Sequence, residues 1–262
     1  MNNNLNIFEI NDRKFDNCLL SIQIISTFIF FKDKDEHIRK KEIYSFFSCS
    51  IKGKRMYLTS VFKDKYTKTS DWYDLLMIFK NRGINVLLYA VVPNNNDIIK
   101  AFKLAFKEIF IYISCFDTID RLCHYYTDSY SSNIIGKLKR IYLANNIDEY
   151  NLAFNDFKEE YLQYQFILDL FEDDFKRYKD YCTKDPQIRK FIISFYFVRD
   201  LQKRLNKIAK SKDYFSSLDD FVTELIDDIK RIESKIFCTK KELTTIINYL
   251  YNCKKDLIKY YL

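Results

Sequence analysis

Apolar residues in the first third of the chain follow the pattern of buried β-strands. Residues 19–31 are rich in Ile and Phe, and two further apolar stretches, 43–51 and 55–62, flank Gly53. Because glycine tolerates the backbone angles of a tight hairpin turn, this spacing predicts a β-hairpin with its turn at Gly53. The charged segment 32–41 predicts the turn between the first two strands. The chain therefore begins with three predicted antiparallel strands in succession.

The next part of the chain alternates between the patterns of helices and strands. Apolar residues recur at helical spacing from Trp72 to Phe79, and Gly83 is typical of the residue just past the end of a helix. Four elements are predicted in this order: a helix capped by Ser70 or Asp71, a strand at 84–92, a second helix at 97–107 and a fifth strand at 109–115. Three antiparallel strands followed by helix, strand, helix and strand is the element order of an RNase H-like core. We therefore predict an α/β fold with a mixed sheet of five strands.

The strand pattern disappears from about residue 118, and the remainder of the chain is predicted to be helical. Residues 118–182 form the first helical part, Asp185-Pro186 predicts a turn, and a long helix follows at 188–212. Two more helices are predicted, one at 218–236 after Ser216 or Ser217 and one from Thr239 to the C-terminus. We divide the chain into a polar lead-in, an RNase H-like core, an all-α insertion and C-terminal helices that complete the core, at 1–17, 18–117, 118–185 and 186–262.

Composition excludes several function classes. The three glycines lie too far apart for a glycine-rich nucleotide-binding loop. Seven dispersed cysteines without a CxxC pair indicate reduced thiols in a cytoplasmic, reducing compartment, and with only two histidines a zinc site is not expected. The longest apolar run, 18–31, has 14 residues, fewer than the roughly 20 that cross a bilayer. We expect a soluble protein without a membrane partner.

Three segments, in this order, resemble the Mutator-type transposases of bacterial insertion sequences. The segment DWYDLLMIFKNRGINVLLYAV, at 71–91, is similar to the family's tryptophan helix, its LKNRG turn and the strand that follows. The segment LKRIYLANNIDEY, at 138–150, is similar to the family's LKxIYxA segment, and 186–215 is similar to its IRxxIYTTNxxExxNxxLRKxTKxxxxF stretch. The resemblance covers about residues 19–250 and implies an RNase H-like fold and a relation to DNA transposition.

The family that these segments resemble uses a DDE active site, in which three carboxylates hold two divalent metal ions for phosphoryl transfer. The resemblance puts the first acid position at Ile25 or a neighbour such as Gln23, the second at Pro93 and the third at Arg199. None of these side chains is a metal ligand of the required kind, and Arg199 would repel a cation. We therefore predict a degenerate member of the family, a pseudoenzyme with no catalytic residue, no metal site and no cofactor.

Four other acids lie close to these positions along the chain: Asp33, Asp35, Asp97 and Asp200. A step of one residue on a helix rotates the side chain by about 100°, so Asp200 is expected to point away from a site at position 199. The alternative prediction is an active DDE transposase, with Mg²⁺ as its cofactor, in which the displaced acids converge.

Two other features of the family are reduced in this sequence. Only 24 residues precede Ile25, too few for a helix-turn-helix, so the family's N-terminal DNA-binding region is expected to be missing. The family's CxxH motif is reduced to Cys115 with Thr118, although Arg121 remains. Recognition of transposon ends in the family's ordinary way is therefore not expected.

A basic stripe is the best remaining candidate for a binding site. Arg199, Lys203, Lys207 and Lys210 are spaced 4, 4 and 3 residues apart, so they line one face of a helix. Such a stripe can neutralise phosphates without reading sequence, which makes double-stranded DNA the expected partner. One alternative is an ordinary solvated face, which is also the interpretation for the smaller cluster at 137–140.

A further alternative is a non-catalytic protein-interaction module. In that case the helical C-terminal half is the binding surface, and a second copy of the chain or another transposase is the partner. The formal charge of +7, from 43 basic and 36 acidic residues, does not by itself distinguish these hypotheses.

Overall fold

The structure is a computed structural model of the chain, and it describes residues 13–107, 109–114, 128–182, 195–234 and 240–253. The chain divides into two compact units. The first unit combines residues 1–112 with 196–262, and the second contains residues 113–195.

Five strands form one mixed sheet in the described residues. They are β1 (Cys18–Lys32), β2 (Ile38–Ser50), β3 (Arg55–Phe62), β4 (Val86–Val92) and β5 (Phe110–Ile113). Their order across the sheet is β3-β2-β1-β4-β5. Strand β2 is antiparallel to both β1 and β3, whereas β4 is parallel to β1. This strand order, with β2 antiparallel beside a central β1, is that of an RNase H-like sheet, and the predicted fold class is confirmed.

The helices are distributed between the two units. Those with the sheet are α1 (Thr69–Asn81), α2 (Asn96–Ala105), α6 (Phe195–Ala209), α7 (Leu218–Glu233) and α8 (Lys240–Cys253), and those of the second unit are α3 (Asp128–Tyr142), α4 (Ile147–Glu160) and α5 (Gln165–Cys182). Ser217 caps α7 as predicted, since its hydroxyl accepts a hydrogen bond from the N–H of Asp220 at 2.9 Å. Within the described residues, no helix is both long enough and apolar enough to span a membrane.

The core of the first unit lies on both faces of the sheet. Trp72 of α1 is 2% exposed and stacks on Tyr44, with ring centroids 5.7 Å apart. It is therefore a core residue. Phe47 follows Phe46 along β2 and points to the opposite face, where it packs edge-on against Tyr57 of β3. Helix α7 contacts β3.

Gly83 lies just past α1, as predicted, and has a φ of 119°. A side chain at this position would place its Cβ 2.7 Å from the carbonyl oxygen of Phe15. The N–H of Phe15 donates to the carbonyl oxygen of Arg82 at 2.7 Å, and the Arg82 side chain donates to the carbonyl oxygen of Arg13 at 3.1 Å. The turn after α1 thus holds the segment that leads into β1.

The charged segment at 32–41 is not a simple turn, and this prediction is wrong. Strands β1 and β2 continue into it, so the turn occupies only residues 33–37. Its charges pair with one another: Lys32 with Glu36 at 2.7 Å and Arg39 with Asp33 at 3.0 Å. Ion pairing of this kind lets charged residues extend a two-stranded ribbon into solvent.

Helix α1 begins at Thr69, earlier than the predicted caps Ser70 and Asp71. The carboxylate of Asp71 lies within the first turn and accepts hydrogen bonds from the N–H groups of Thr67 and Lys68, both at 2.9 Å. These bonds lower the pKa of Asp71. Asp71 therefore stabilises the helix start from inside the helix and not as its first cap.

Helices α4 and α5 of the second unit pack through aromatic side chains. Phe157 of α4 is fully buried and lies edge-on to Phe171 and Phe175 of α5, with ring centroids 6.3 and 5.5 Å apart. The hydroxyl of Tyr150 donates to the carbonyl oxygen of Phe175 at 2.6 Å. These aromatic residues form a core between α4 and α5.

Candidate functional site

The positions implied for the first two acids lie on β1 and just after its parallel neighbour β4. Gln23 of β1 is paired with Val91 of β4. If the same register is continued by two residues, Ile25 falls level with Pro93, which directly follows β4. Ile25 is 2% exposed and Pro93 is buried. The two positions are therefore adjacent, and both carry apolar side chains.

Helix α6 reaches β1 beyond the end of this parallel pairing. The side-chain N–H of Gln202 donates to the carbonyl oxygen of Ser26 at 2.8 Å, in a buried position. Position 199 lies about one helical turn before Gln202, which puts the backbone of Arg199 near the same stretch of β1. The side chain of Arg199 lies outside the described part of the structure. All three positions implied by the resemblance thus belong to one corner of the first unit.

Uncharged polar groups share the face of β1 that carries Ile25. Gln23 is 1% exposed, and neither its amide oxygen nor its amide nitrogen has a hydrogen-bond partner among the described residues. The hydroxyls of Ser21 and Thr27 are buried and without partners in the same part of the structure. Alternate residues of a strand share a face, so these three side chains flank Ile25. Amides and hydroxyls can donate and accept hydrogen bonds there, but they supply no negative charge.

The acids that lie near these positions in sequence do not converge in the described part of the chain. Asp97 stands in the first turn of α2 and accepts a hydrogen bond from the hydroxyl of Thr69 at 2.5 Å. Asp200 accepts one from Nε of Arg204 at 3.2 Å. No charged side chain is among the buried residues that the structure describes.

Asp33 and Asp35 lie in the turn between β1 and β2, close to His37. Their ligand atoms are near one another, and this is the group of described residues whose spacing could suit a metal ion. The carboxylate of Asp33 is already engaged with the N–H groups of Asp35 and His37 and with Arg39. Although partial burial would raise it, these contacts lower the pKa of Asp33. Asp33 therefore stabilises the turn between β1 and β2 through these contacts.

Three lysines of the predicted basic stripe are exposed. Helix α6 buries Leu201, Leu205 and Ile208 against the first unit. On its solvent side, Lys203 and Lys207 are exposed, and Lys210 follows the end of the helix. None of these lysines forms an ion pair with the described residues. We call Lys203, Lys207 and Lys210 the open lysines.

The cations that flank the open lysines are neutralised by α7. Arg204 contacts Asp228 of α7 at 2.6 Å. Burial alone would lower the pKa of Arg204, but its hydrogen bonds to Asp228 and Asp200 raise it. Lys212 contacts Asp220 and Glu224 at 2.7 and 2.8 Å, and both contacts raise its pKa. Sequence reasoning did not detect this pairing, because it considered the basic residues without the acids of the next helix.

Two of the three cations in the smaller basic cluster of the second unit are also paired. Lys137 forms an ion pair with Glu160, and Arg140 contacts Asp156 at 3.5 Å. The ion pair lowers the pKa of Glu160. Cys115, Thr118, Arg121, the turn at Asp185-Pro186 and Thr239 all lie outside the described residues.

The order and directions of the strands define an RNase H-like fold, of the kind found in DNA transposition enzymes. The chain matches the model of the family "Transposase, Mutator family" over residues 5–229, which includes all five strands and most of α7. The chain therefore belongs to the Mutator family of transposases. None of the curated proteins matches it.

Proposed function

We propose that this chain is a transposase-derived protein that binds double-stranded DNA through the phosphate backbone and no longer catalyses strand transfer. The observation that carries the binding proposal is the contrast along α6. The open lysines are exposed and without acidic partners in the described structure, whereas the neighbouring cations are held by α7. Membership of the family makes DNA the natural ligand of such a surface.

The length of the stripe suits a short run of phosphates. A helix rises 1.5 Å per residue, so Lys203 and Lys210 are separated by about 10 Å along the axis of α6. Each strand of duplex DNA carries one phosphate per 3.4 Å of its own axis, so the stripe spans about three phosphates. Lysine contacts phosphate as a point charge, and the stripe should not discriminate between sequences.

The loss of catalysis is proposed from the chemistry of the positions that the family uses. Two-metal phosphoryl transfer needs carboxylate oxygens that converge on the metal ions. Ile25 and Pro93 offer none, and Asp97 and Asp200 make other contacts. The neutral polar groups of Gln23 and Thr27 cannot offset the charge of two divalent cations.

The binding proposal is tested by fluorescence anisotropy with labelled duplexes of unrelated sequence. Because about three phosphates are contacted, the logarithm of the affinity should fall with the logarithm of salt concentration with a slope of about −2.7. The double variant Lys203→Glu/Lys207→Glu should bind at least about 10-fold more weakly. The matched control is Lys100→Glu/Lys103→Glu, two exposed lysines on α2 of the same unit. Equal losses in both double variants, or no binding at low salt, would contradict the proposal.

The catalytic proposal is tested with supercoiled plasmid and with pairs of labelled oligonucleotides in Mg²⁺ or Mn²⁺. We expect neither nicking nor joining above the level of a metal-free reaction. Metal-dependent cleavage or joining that co-purifies with the protein, and that is lost in Asp97→Asn or Asp200→Asn, would instead establish an active transposase with displaced acids.

A further inference from the structure

A cluster of exposed apolar side chains lies where the chain after α6 meets the end of β1. Phe30 is 51% exposed, Ile38 53% and Tyr214 39%. Strand β1 pairs with β2 here, with Phe30 opposite Lys40 and Lys32 opposite Ile38. Directly opposed residues and alternate residues of a strand share one face, so Phe30 and Ile38 lie on the same side of the ribbon.

Tyr214 joins this face because its neighbour Phe215 pairs with β1. The N–H of Phe215 donates to the carbonyl oxygen of Phe30, and the N–H of Lys32 donates to the carbonyl oxygen of Phe215, both at 2.9 Å. Phe215 is thus level with Phe31 in a parallel bridge. Tyr214, one residue earlier, falls on the same face as Phe30 and Lys32. We call Phe30 and Tyr214 the aromatic platform, and Ile38 lies beside them on the same face.

Two lysines lie close to aromatic rings in this region. The ammonium of Lys32 lies 5.3 Å from the ring centroid of Tyr214, and that of Lys40 lies 4.8 Å from the ring centroid of Phe28. Aromatic rings interleaved with cations are the pattern of surfaces that bind single-stranded nucleic acid, because bases stack on the rings while the cations hold the backbone.

The platform is close to the open lysines. Tyr214 is four positions after Lys210, which limits the distance between their Cα atoms to about 14 Å. The nearest acids of the ribbon turn are engaged with its own cations, Glu36 with Lys32 and Asp33 with Arg39. Asp35 and Asp213 are the other exposed acids beside the platform.

We propose that the aromatic platform stacks the bases of a single-stranded DNA segment whose phosphates are held by the open lysines. The proposal rests on the proposed DNA binding by α6 and extends it to a second class of DNA. In a duplex the faces of the bases are covered by their neighbours, so rings exposed on a ribbon can stack only on bases that are unpaired. Stacking of this kind tolerates any base, as a surface without sequence-reading groups requires.

The experiment compares three labelled ligands of about 12 nucleotides: an oligothymidylate strand, an abasic strand with the same phosphates, and a duplex. The variants are Phe30→Ala, Tyr214→Ala and Tyr214→Phe, with Leu104→Ala as control, since Leu104 is 65% exposed on α2. We expect the protein to bind oligothymidylate at least about 10-fold more tightly than the abasic strand. Phe30→Ala and Tyr214→Ala should remove most of that preference, while Tyr214→Phe and Leu104→Ala should retain it.

The outcomes separate this inference from the proposed function. If the duplex and the abasic strand bind through the open lysines but the bases add no affinity, the platform proposal is wrong and the proposed function stands. If none of the three ligands binds, both are wrong. If the platform variants leave DNA binding unchanged but abolish a concentration-dependent dimer in size-exclusion chromatography, the platform is a protein interface, and single-stranded DNA is not its occupant.

Discussion

Basic side chains on and just after α6 fall into two groups that the sequence does not distinguish. Arg204 and Lys212 are held by acids of α7, with exposed fractions of 23% and 38% for their side chains. Lys203, Lys207 and Lys210 lie on the solvent side, without acidic partners among the described residues. Cation spacing on one helix therefore cannot identify a phosphate-binding face until the neighbouring helix is known.

The acids of α7 explain the division. Asp220, Glu224 and Asp228 are spaced four residues apart, so they line one face of that helix. This face contacts Lys212 and Arg204 and leaves the open lysines unneutralised. The paired cations join two helices, and the unpaired ones are available to a ligand.

The largest effect on stability should follow from removing Arg204, which forms an ion pair with Asp228 of α7. Arg204→Ala removes the guanidinium that contacts Asp228 at 2.6 Å and leaves this carboxylate, only 18% exposed, with the more distant Arg231 at 3.8 Å. We expect the free energy of unfolding to fall by about 1–3 kcal/mol, measured by urea denaturation. Lys203→Ala, one residue away on the solvent side, is the control. Equal free energies of unfolding for the two variants would show that the contact between Arg204 and Asp228 does not stabilise the protein.

Lys212→Ala should have a smaller effect. Its partners Asp220 and Glu224 have side chains 26% and 40% exposed, and ion pairs in contact with water contribute little. We expect a smaller loss of unfolding free energy than that of Arg204→Ala in the same denaturation experiment. A loss as large as that of Arg204→Ala would show that exposure does not decide the strength of these pairs.

The contribution of Lys212 should also depend on pH. Partial burial would raise the pKa of Asp220, but Lys212 and the N–H of Ser216 lower it overall. A carboxyl with a lowered pKa in the folded state stabilises the protein above its unfolded pKa of about 3.9, and this stabilisation is lost as the pH falls through the folded value. The difference between the native protein and Lys212→Ala should therefore shrink between pH 7 and about pH 3. A constant difference would contradict the assignment of Asp220 as the partner.

The smallest effect on stability is expected for the open lysines. Lys203→Ala/Lys207→Ala should change the free energy of unfolding by less than about 0.5 kcal/mol, since these side chains are exposed and unpaired in the described structure. The same double variant should weaken binding of duplex DNA. Urea unfolding and an anisotropy titration of the same sample check both statements. A large loss of stability would show that these lysines, like Arg204, stabilise the fold.

The sheet could be predicted from the sequence because its strands are nearly continuous apolar runs. Residues 19–31 and 84–92 predicted β1 and β4, and Gly53 and Gly83 marked two turns. The ribbon between β1 and β2 was missed, because its charged residues carry no apolar signal and are stabilised by pairing with each other. The local pattern of apolar residues therefore predicts burial well, but it does not predict which charged residues pair.

The site was less accessible to sequence reasoning. The spacing of Ile25 and Pro93 was read from the resemblance, but their adjacency depends on the register of β1 and β4. The contact between Gln202 and Ser26 joins residues 176 positions apart, and no local pattern marks it. The same is true of the partners of Arg204, since Asp228 lies 24 residues away on another helix.

The edge of β1 beyond Gln23 is contacted by residues that are synthesised much later than the strand itself. Strand β4 pairs with β1 from Cys18 to Gln23, and further along β1 the contacts come from Gln202 and Phe215. At ordinary translation rates, about 10 to 35 s pass between the synthesis of Ser26 and that of its partner. Throughout this interval an open strand edge is a template for pairing with other nascent chains. We therefore expect a chain truncated before residue 202 to aggregate more readily than the full chain, because the part of β1 beyond Gln23 keeps an uncovered edge.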